Sequence, residues 1–214
     1  MNKWISHFAS KVFYDGQLIP HATVANRILE ITMPRPALSA ETPSIARAID
    51  PFLPIVFLDK HDEYGKLKIS DAEAHTVREV VAGLLARGVA QEEIGIIAPY
   101  RAQVANLRRH LFSDDQATGW RALSFDTPLS VDTVDRFQGG ERSVIIMSFA
   151  TTTTPEVESQ LRDHLTNPNR LNVALTRAQR KLILVGCAPA LEELPIFQRL
   201  LNYCRGLNTI ISGD

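Results

Sequence analysis

The sequence predicts an α/β fold, a parallel sheet with helices on both of its faces. Three observations predict it. Short apolar runs alternate along the chain with segments of helical spacing. The runs are continuous rather than alternating, as in Ile94–Ala98, which is the pattern of strands buried on both faces. The length, 214 residues with 45% hydrophobic content, suits one large domain and argues against disorder.

Trp4, Ile5, Phe8, Val12 and Phe13 recur at helical spacing and predict a first helix ending near Tyr14-Asp15-Gly16. Its apolar face is wide for the opening of a chain, which hints at a sequence trimmed from something longer, so Met1 need not be a native start. Residues 20–54 carry six prolines and predict an extended connection with little regular structure. Ile55–Asp59 follows as a buried strand. Ser70 and Glu73 have the spacing of a capping box. The helix they open runs through Val77, Val80, Val81 and Leu84 and stops at Gly88. Ile94–Ala98 is the next strand, and Val104, Leu107, Leu111 and Phe112 mark the next helix. Residues 113–128 are polar and turn-rich. Strands are predicted at 130–134 and 143–148, a surface loop at 151–155, a helix through 171–175 and a strand at 181–186. Pro189 suits the first turn of a final helix through Leu191, Leu194, Phe197, Leu200 and Leu201. The organisation expected is an N-terminal helix and connection, 1–54, then the body of the same domain, 55–205, and a fraying tail, 206–214.

Net charge is −1. A nonspecific nucleic-acid binder carries a basic surplus, so contacts to nucleic acid here must be local. Cys187 and Cys204 are too few for a disulfide scaffold and read as free thiols, buried or half-buried. No paired Cys/His spacing suggests zinc, so no metal site is expected. No apolar signal region follows Met1 and no run is long enough to span a bilayer, so a soluble, cytoplasmic chain without membrane contact is expected.

In parallel sheets ligands sit at the carboxyl ends of strands, which points to the loops after them. Ala98-Pro99-Tyr100-Arg101-Ala102-Gln103 leaves a strand and opens a helix. Arg101 then stands where its charge opposes the helix dipole unless an anion is nearby; the plainer reading is an exposed arginine at a turn. Residues 131–142 contain Asp132 and Thr133, whose hydroxyl and amide suit a phosphate. They also contain Gln138, Gly139-Gly140 and Glu141, a run that permits close approach of a ligand; a charged surface turn is the alternative. In residues 167–178, Arg170 and Arg177 lie seven apart, on one helical face. Guanidinium forks suit phosphate, although a solvated face has the same spacing.

Taken in this order, the three strings resemble motifs IV, V and VI of superfamily 1 helicases, in the Upf-like branch whose members mostly translocate 5′ to 3′. Residues 8–18 resemble the segment after motif III, and residues 70–85 the helix before motif IV. The likeness runs from about residue 1 to about residue 188. It implies a RecA-like, P-loop NTPase-type sheet that lacks its own phosphate-binding loop. It implies that Arg177 reaches the γ-phosphate of ATP and that Arg101 is the motif IV arginine beside it, although some members carry that arginine where this chain has Val104. Glu141 is implied near the nucleotide sugar, Gln138 and Gly139 shape its loop, and Arg170 is a structural or nucleotide-edge residue. Thr133, with Asp132, is implied on the nucleic-acid backbone. ATP and Mg2+ would be held mainly by an absent first RecA-like domain, and the partners implied are that domain and single-stranded DNA or RNA.

No GxxxxGK[ST] loop occurs, since the one Gly65-Lys66 pair is followed by Leu67. Ile55–Asp59 with Asp62-Glu63 imitates a magnesium-binding strand end, but Lys60 follows Asp59, and an ordinary strand end is expected. The chain thus holds half an ATP site and is expected to be inactive alone. Arg101 and Arg177 are expected to converge on one open flank. A non-catalytic, helicase-derived interaction module is the alternative. An unrelated small-molecule enzyme would need a Gly-rich first turn that is absent. Tyr100, Trp120 and Phe137 are the aromatic candidates for base stacking.

Overall fold

A computed structural model of the chain describes residues 1–32, 42–62, 68–114, 122–123, 129–137, 140–151 and 167–212. The strands are β1 (Ile55–Asp59), β2 (Ile94–Ala98), β3 (Ser130–Thr133), β4 (Arg142–Ser148), β5 (Ala178–Gly186) and β6 (Ile210–Ser212). They form a single sheet in the order β3-β2-β4-β5-β1-β6, and every neighbouring pair is parallel. The helices are α1 (Lys3–Phe13), α2 (Ala22–Ala25), α3 (Pro43–Ala48), α4 (Asp71–Ala86), α5 (Arg101–Phe112), α6 (Pro168–Thr176), α7 (Ala188–Glu192) and α8 (Pro195–Gly206).

Successive strand residues face opposite ways, which divides the core into two layers. Ile55 and Phe57, Ile145 and Met147, and Leu182 and Leu184 pack beneath α1, α6 and α8 with Ile5, Phe8, Leu171 and Phe197. Val56 and Leu58, Val144 and Ile146, and Ile183 and Val185 pack beneath α3, α4 and α5 with Ile45, Val77 and Leu107. Each such side chain contributes about 1.5–3 kcal/mol on burial. This double burial is why the strands read as unbroken apolar runs.

Several boundaries differ from expectation for local reasons. The proline-rich connection contains two short helices; α3 begins because Thr42 caps it and Pro43 occupies its first position. The last predicted helix is two, because Pro195 lacks the amide needed to continue α7 and instead starts α8. Within the expected tail, Ile210–Ser212 forms edge strand β6, hydrogen-bonded to β1, and 213–214 lie outside the described residues. Thr151, expected on a surface loop, is buried, while 152–155 lie outside the described residues. α4 ends as predicted, with Gly88 at φ +80 and the Val89 amide donating to the Leu84 carbonyl.

Candidate functional site

The sequence-predicted residues fall at two opposite ends of the sheet. Arg177 caps α6 and immediately precedes β5, whose first residue, Ala178, is paired with Arg142 at the start of β4. The Arg142 amide donates to the Arg177 carbonyl at 3.0 Å. Glu141, one residue before β4, therefore shares this amino edge with Arg177. The exposed Glu141 accepts a hydrogen bond from Gln179 Nε2 at 3.1 Å. The Arg177 Nε donates to the Val173 carbonyl at 3.1 Å, which fixes the root of the guanidinium. Its two terminal nitrogens have no partner among the described residues.

Arg101 stands elsewhere. It is the first residue of α5, three positions past the carboxyl end of β2. Ile97 is paired with Met147, next to Ser148, and Ser148 is level with Val185. The seven residue steps from Ala178 to Val185, one of them at a bulge, span at most roughly 23 Å of strand. The expected convergence of Arg101 and Arg177 is therefore corrected: one follows a strand, the other precedes one, and parallel strands carry them to opposite ends. Glu141, like Arg177, precedes its strand rather than following it. Arg101 is exposed and makes no hydrogen bond or ion pair among the described residues. Val104, the alternative motif IV position, is buried.

Thr133 closes β3 beside Ala98, at the carboxyl end with Arg101. Its amide, expected for a phosphate, is taken by Asp132 Oδ1 at 2.8 Å, so only its hydroxyl stays available. Arg170 pairs with Asp135 at 3.1 Å, both partly exposed, and lies about 10 Å from Arg177 along α6. It ties α6 to the loop after β3. Gln138, Gly139 and Trp120 lie outside the described residues. Phe137 and Tyr100 are buried, which removes both as open stacking platforms. Phe137 reaches its place because residue 95 is glycine: a Cβ there would stand 2.4 Å from the Phe137 ring. The Arg142 guanidinium lies over that ring at 5.7 Å.

Sequence reasoning missed a buried polar hub at the carboxyl end of β4. Ser70 Oγ caps α4 by accepting from the Glu73 amide at 3.1 Å, but Glu73 does not complete the box. Its carboxylate accepts from Ser148 Oγ (2.7 Å), the Ala150 amide (2.8 Å), the Thr151 amide (2.8 Å) and Thr151 Oγ1. Burial pushes the Glu73 carboxyl up to about 7, against the downward pull of those bonds. Gln103 does the reciprocal work: Oε1 accepts from the Ser70 amide, and Nε2 donates to the Ser70 carbonyl and Ser148 Oγ. The visible signal was Gln103, Asn106 and His110 on the packed face of α5. A second buried titratable group, the Lys181 amine, donates to the Asp50 and Leu53 carbonyls at 2.8 and 2.7 Å and is pushed down to about 7 by burial.

Comparisons with known proteins agree with this architecture. A family model described as an AAA domain matches residues 1–189. The chain is 31% identical to the "DNA replication ATP-dependent helicase/nuclease DNA2" of Bos taurus over 226 residues, covering 99% of this chain and 20% of that protein. It is 32% identical to the "DNA polymerase alpha-associated DNA helicase A" of Saccharomyces cerevisiae, over 90% of this chain and 27% of that one. Against the "Regulator of nonsense transcripts 1 homolog" of Drosophila melanogaster the identity is 30%, over 100% and 17%. The chain thus spans roughly a fifth of the length of these relatives. The C-terminal domain of a possible DNA helicase from Lactobacillus plantarum WCFS1 superposes with a TM-score of 0.51 at 15% identity, covering 99% of this chain and 96% of that one. At that identity the match speaks to the fold. The chain belongs to this AAA-domain family, the family of the second, RecA-like domain of superfamily 1 helicases.

Proposed function

We propose that this domain is the responding half of an ATP-driven motor, with Arg177 as the arginine that reaches a triphosphate presented by a first RecA-like domain. The observation that carries this is the state of Arg177: its Nε is anchored, its terminal nitrogens are unengaged among the described residues, and Glu141 shares its edge. Phosphoryl transfer spreads charge over the γ-phosphate oxygens, and an arginine delivered across an interface is worth roughly 10³–10⁵ in rate. It works only when the two domains close, so ATP binding draws them together and hydrolysis releases them. Glu141 and Gln179 suit the polar edge of the nucleotide. Mg2+ falls to the other domain, which would carry the phosphate-binding loop that this sequence lacks. Single-stranded DNA or RNA passes the opposite end, where Thr133 Oγ1 and Arg101 meet the phosphate backbone. Arg101 thus acts on the strand rather than on ATP.

The test uses a protein that joins this chain to a first motor domain. Arg177→Ala is expected to cut strand-stimulated ATP turnover by roughly 10³ or more, with the binding of a single strand retained. Unchanged turnover overturns the assignment. A parent protein that binds strands but turns over no ATP favours the non-catalytic module instead.

A further inference from the structure

Remote from Arg177, at the carboxyl ends of β1 and β5, three potential metal ligands from distant parts of the chain meet. Asp59 closes β1 level with Gly186, Cys187 follows β5, and His61 lies two residues beyond Asp59. A ligand atom from each of Asp59, His61 and Cys187 lies within 4.8 Å of the other two. The His61 Nδ1 is 3.8 Å from Cys187 Sγ, and its Nε2 is 3.7 Å from Asp59 Oδ2. We propose that Asp59, His61 and Cys187 bind a borderline divalent cation, zinc foremost, with its fourth position open to water on the exposed side of His61.

The donor set selects the ion. Thiolate with imidazole suits zinc, whereas magnesium and calcium take oxygen ligands. Tetrahedral bonds of about 2.0–2.3 Å hold ligand atoms roughly 3.3–3.8 Å apart, so the cluster, within 4.8 Å throughout, needs to close by about 1.5 Å at most. Two of the three ligands are already oriented by hydrogen bonds around the site, as metal ligands commonly are. Asp59 Oδ1 accepts from the Ala188 amide at 2.8 Å, which turns Oδ2 toward His61. The Cys187 amide donates to Thr151 Oγ1 at 2.7 Å. The remaining adjustment belongs to His61, whose side chain is 52% exposed and which offers one nitrogen to the ion.

Cys–His–acid is also the order of groups in a thiol nucleophile. That use is excluded here because Cys187 is fully buried and burial raises its thiol above the ordinary value. A cation reverses that balance: the S–H bond is replaced by a sulfur–metal bond, and the proton leaves to solvent. Lone pairs from one His61 nitrogen and Asp59 Oδ2 complete the protein's share. The bound ion clamps residues 60–62 to the sheet, next to Asp62, which holds the start of α4 by accepting from Ser70 Oγ and the Ala72 amide.

The probe is cobalt(II) titrated into the metal-stripped 214-residue chain. One equivalent is expected to give a thiolate-to-cobalt charge-transfer band that zinc abolishes by displacement. Cys187→Ser is expected to lose the band, and Cys204→Ser, altered at the other buried thiol, to keep it. Because His61 is exposed, His61→Ala retains the fold and serves as the second variant; it is expected to weaken cobalt binding and to lose the rise in Tm that zinc gives the parent. No band in the parent, a band surviving Cys187→Ser, or parent-like cobalt affinity in His61→Ala overturns the site.

Discussion

Two glutamates mark the two ends of the sheet. Glu73, at the carboxyl end of β4, is fully buried and accepts four hydrogen bonds, two of them from the backbone of the chain leaving that strand. Glu141, at the amino end of the same strand, is exposed and accepts one, from the exposed Gln179. The arginines follow the same division of labour in a different form. Arg78, near the packed side of α5, donates to the His110 carbonyl and is buried, while the terminal nitrogens of Arg177 stay unengaged among the described residues. A polar group that is satisfied and dry holds the fold together, because removing it leaves its partners stranded. A polar group that is wet and half-engaged contributes little to stability and is available to a ligand. The two kinds of position should therefore fail differently when mutated.

The largest effect on stability is expected at Glu73. Glu73→Ala strands the Ala150 and Thr151 amides in a dry site and should cost about 3 kcal/mol in denaturant unfolding. It also releases Ala150 from a left-handed backbone, φ 55, that an alanine adopts only under constraint. Glu141→Ala should change stability by less than about 0.5 kcal/mol. Equal losses at the two positions would erase the contrast between the ends of the sheet.

Protonation sharpens the same contrast. The folded chain holds the Glu73 proton up to about 7, whereas the unfolded chain releases it near 4.5. The native state thus binds more protons within that window, and this group's contribution to stability falls as pH rises through it. Lys181 acts in the next window: between about 7 and 10.5 the unfolded chain binds the extra proton, so its contribution rises with pH. In Glu73→Gln the first term vanishes. Its stability deficit relative to the parent should shrink between about pH 5 and about pH 8, and a constant deficit would mean that Glu73 does not titrate in the folded state.

Gly95 is the next position in order of expected effect. A Cβ there meets Phe137 at 2.4 Å and Ile145 at 2.9 Å, so Gly95→Ala should cost about 1–3 kcal/mol through overpacking. Phe137 leads into Glu141, and the shift should also lower strand-stimulated turnover on the proposed reading. Loss of stability with unchanged turnover would show that Phe137 packing does not position the amino edge.

The parallel sheet was legible because its strands are buried on both faces, so Ile94–Ala98 and the run within β4 announce themselves without context. The motif strings were legible as strings. Their placement was not, because end-of-sheet position depends on whether a residue precedes or follows its strand. β5 begins at Ala178, four residues before its continuous apolar run starts at Leu182, and that offset hid the fact that Arg177 abuts the strand. The Glu73 hub was read only as a local cap because its partners, Ser148 and Thr151, are distant in sequence. The meeting of Cys187 with His61 was not legible for the same reason, since 126 positions separate them with no repeat in spacing.

Arg101→Ala is expected to have the smallest effect and to discriminate most finely. The side chain is exposed with no partner among the described residues, so unfolding should be unchanged within about 0.5 kcal/mol. If Arg101 meets a phosphate of the strand, its loss lowers the salt dependence of single-strand binding by about one counterion and weakens binding similarly across sequences. ATP turnover at saturating strand stays as in the parent, whereas Arg177→Ala loses it. A variant that loses turnover while keeping strand affinity would place Arg101 at the nucleotide after all. Given roughly 23 Å of strand between the two ends, that outcome would require the first domain to reach around the sheet rather than meet its amino edge.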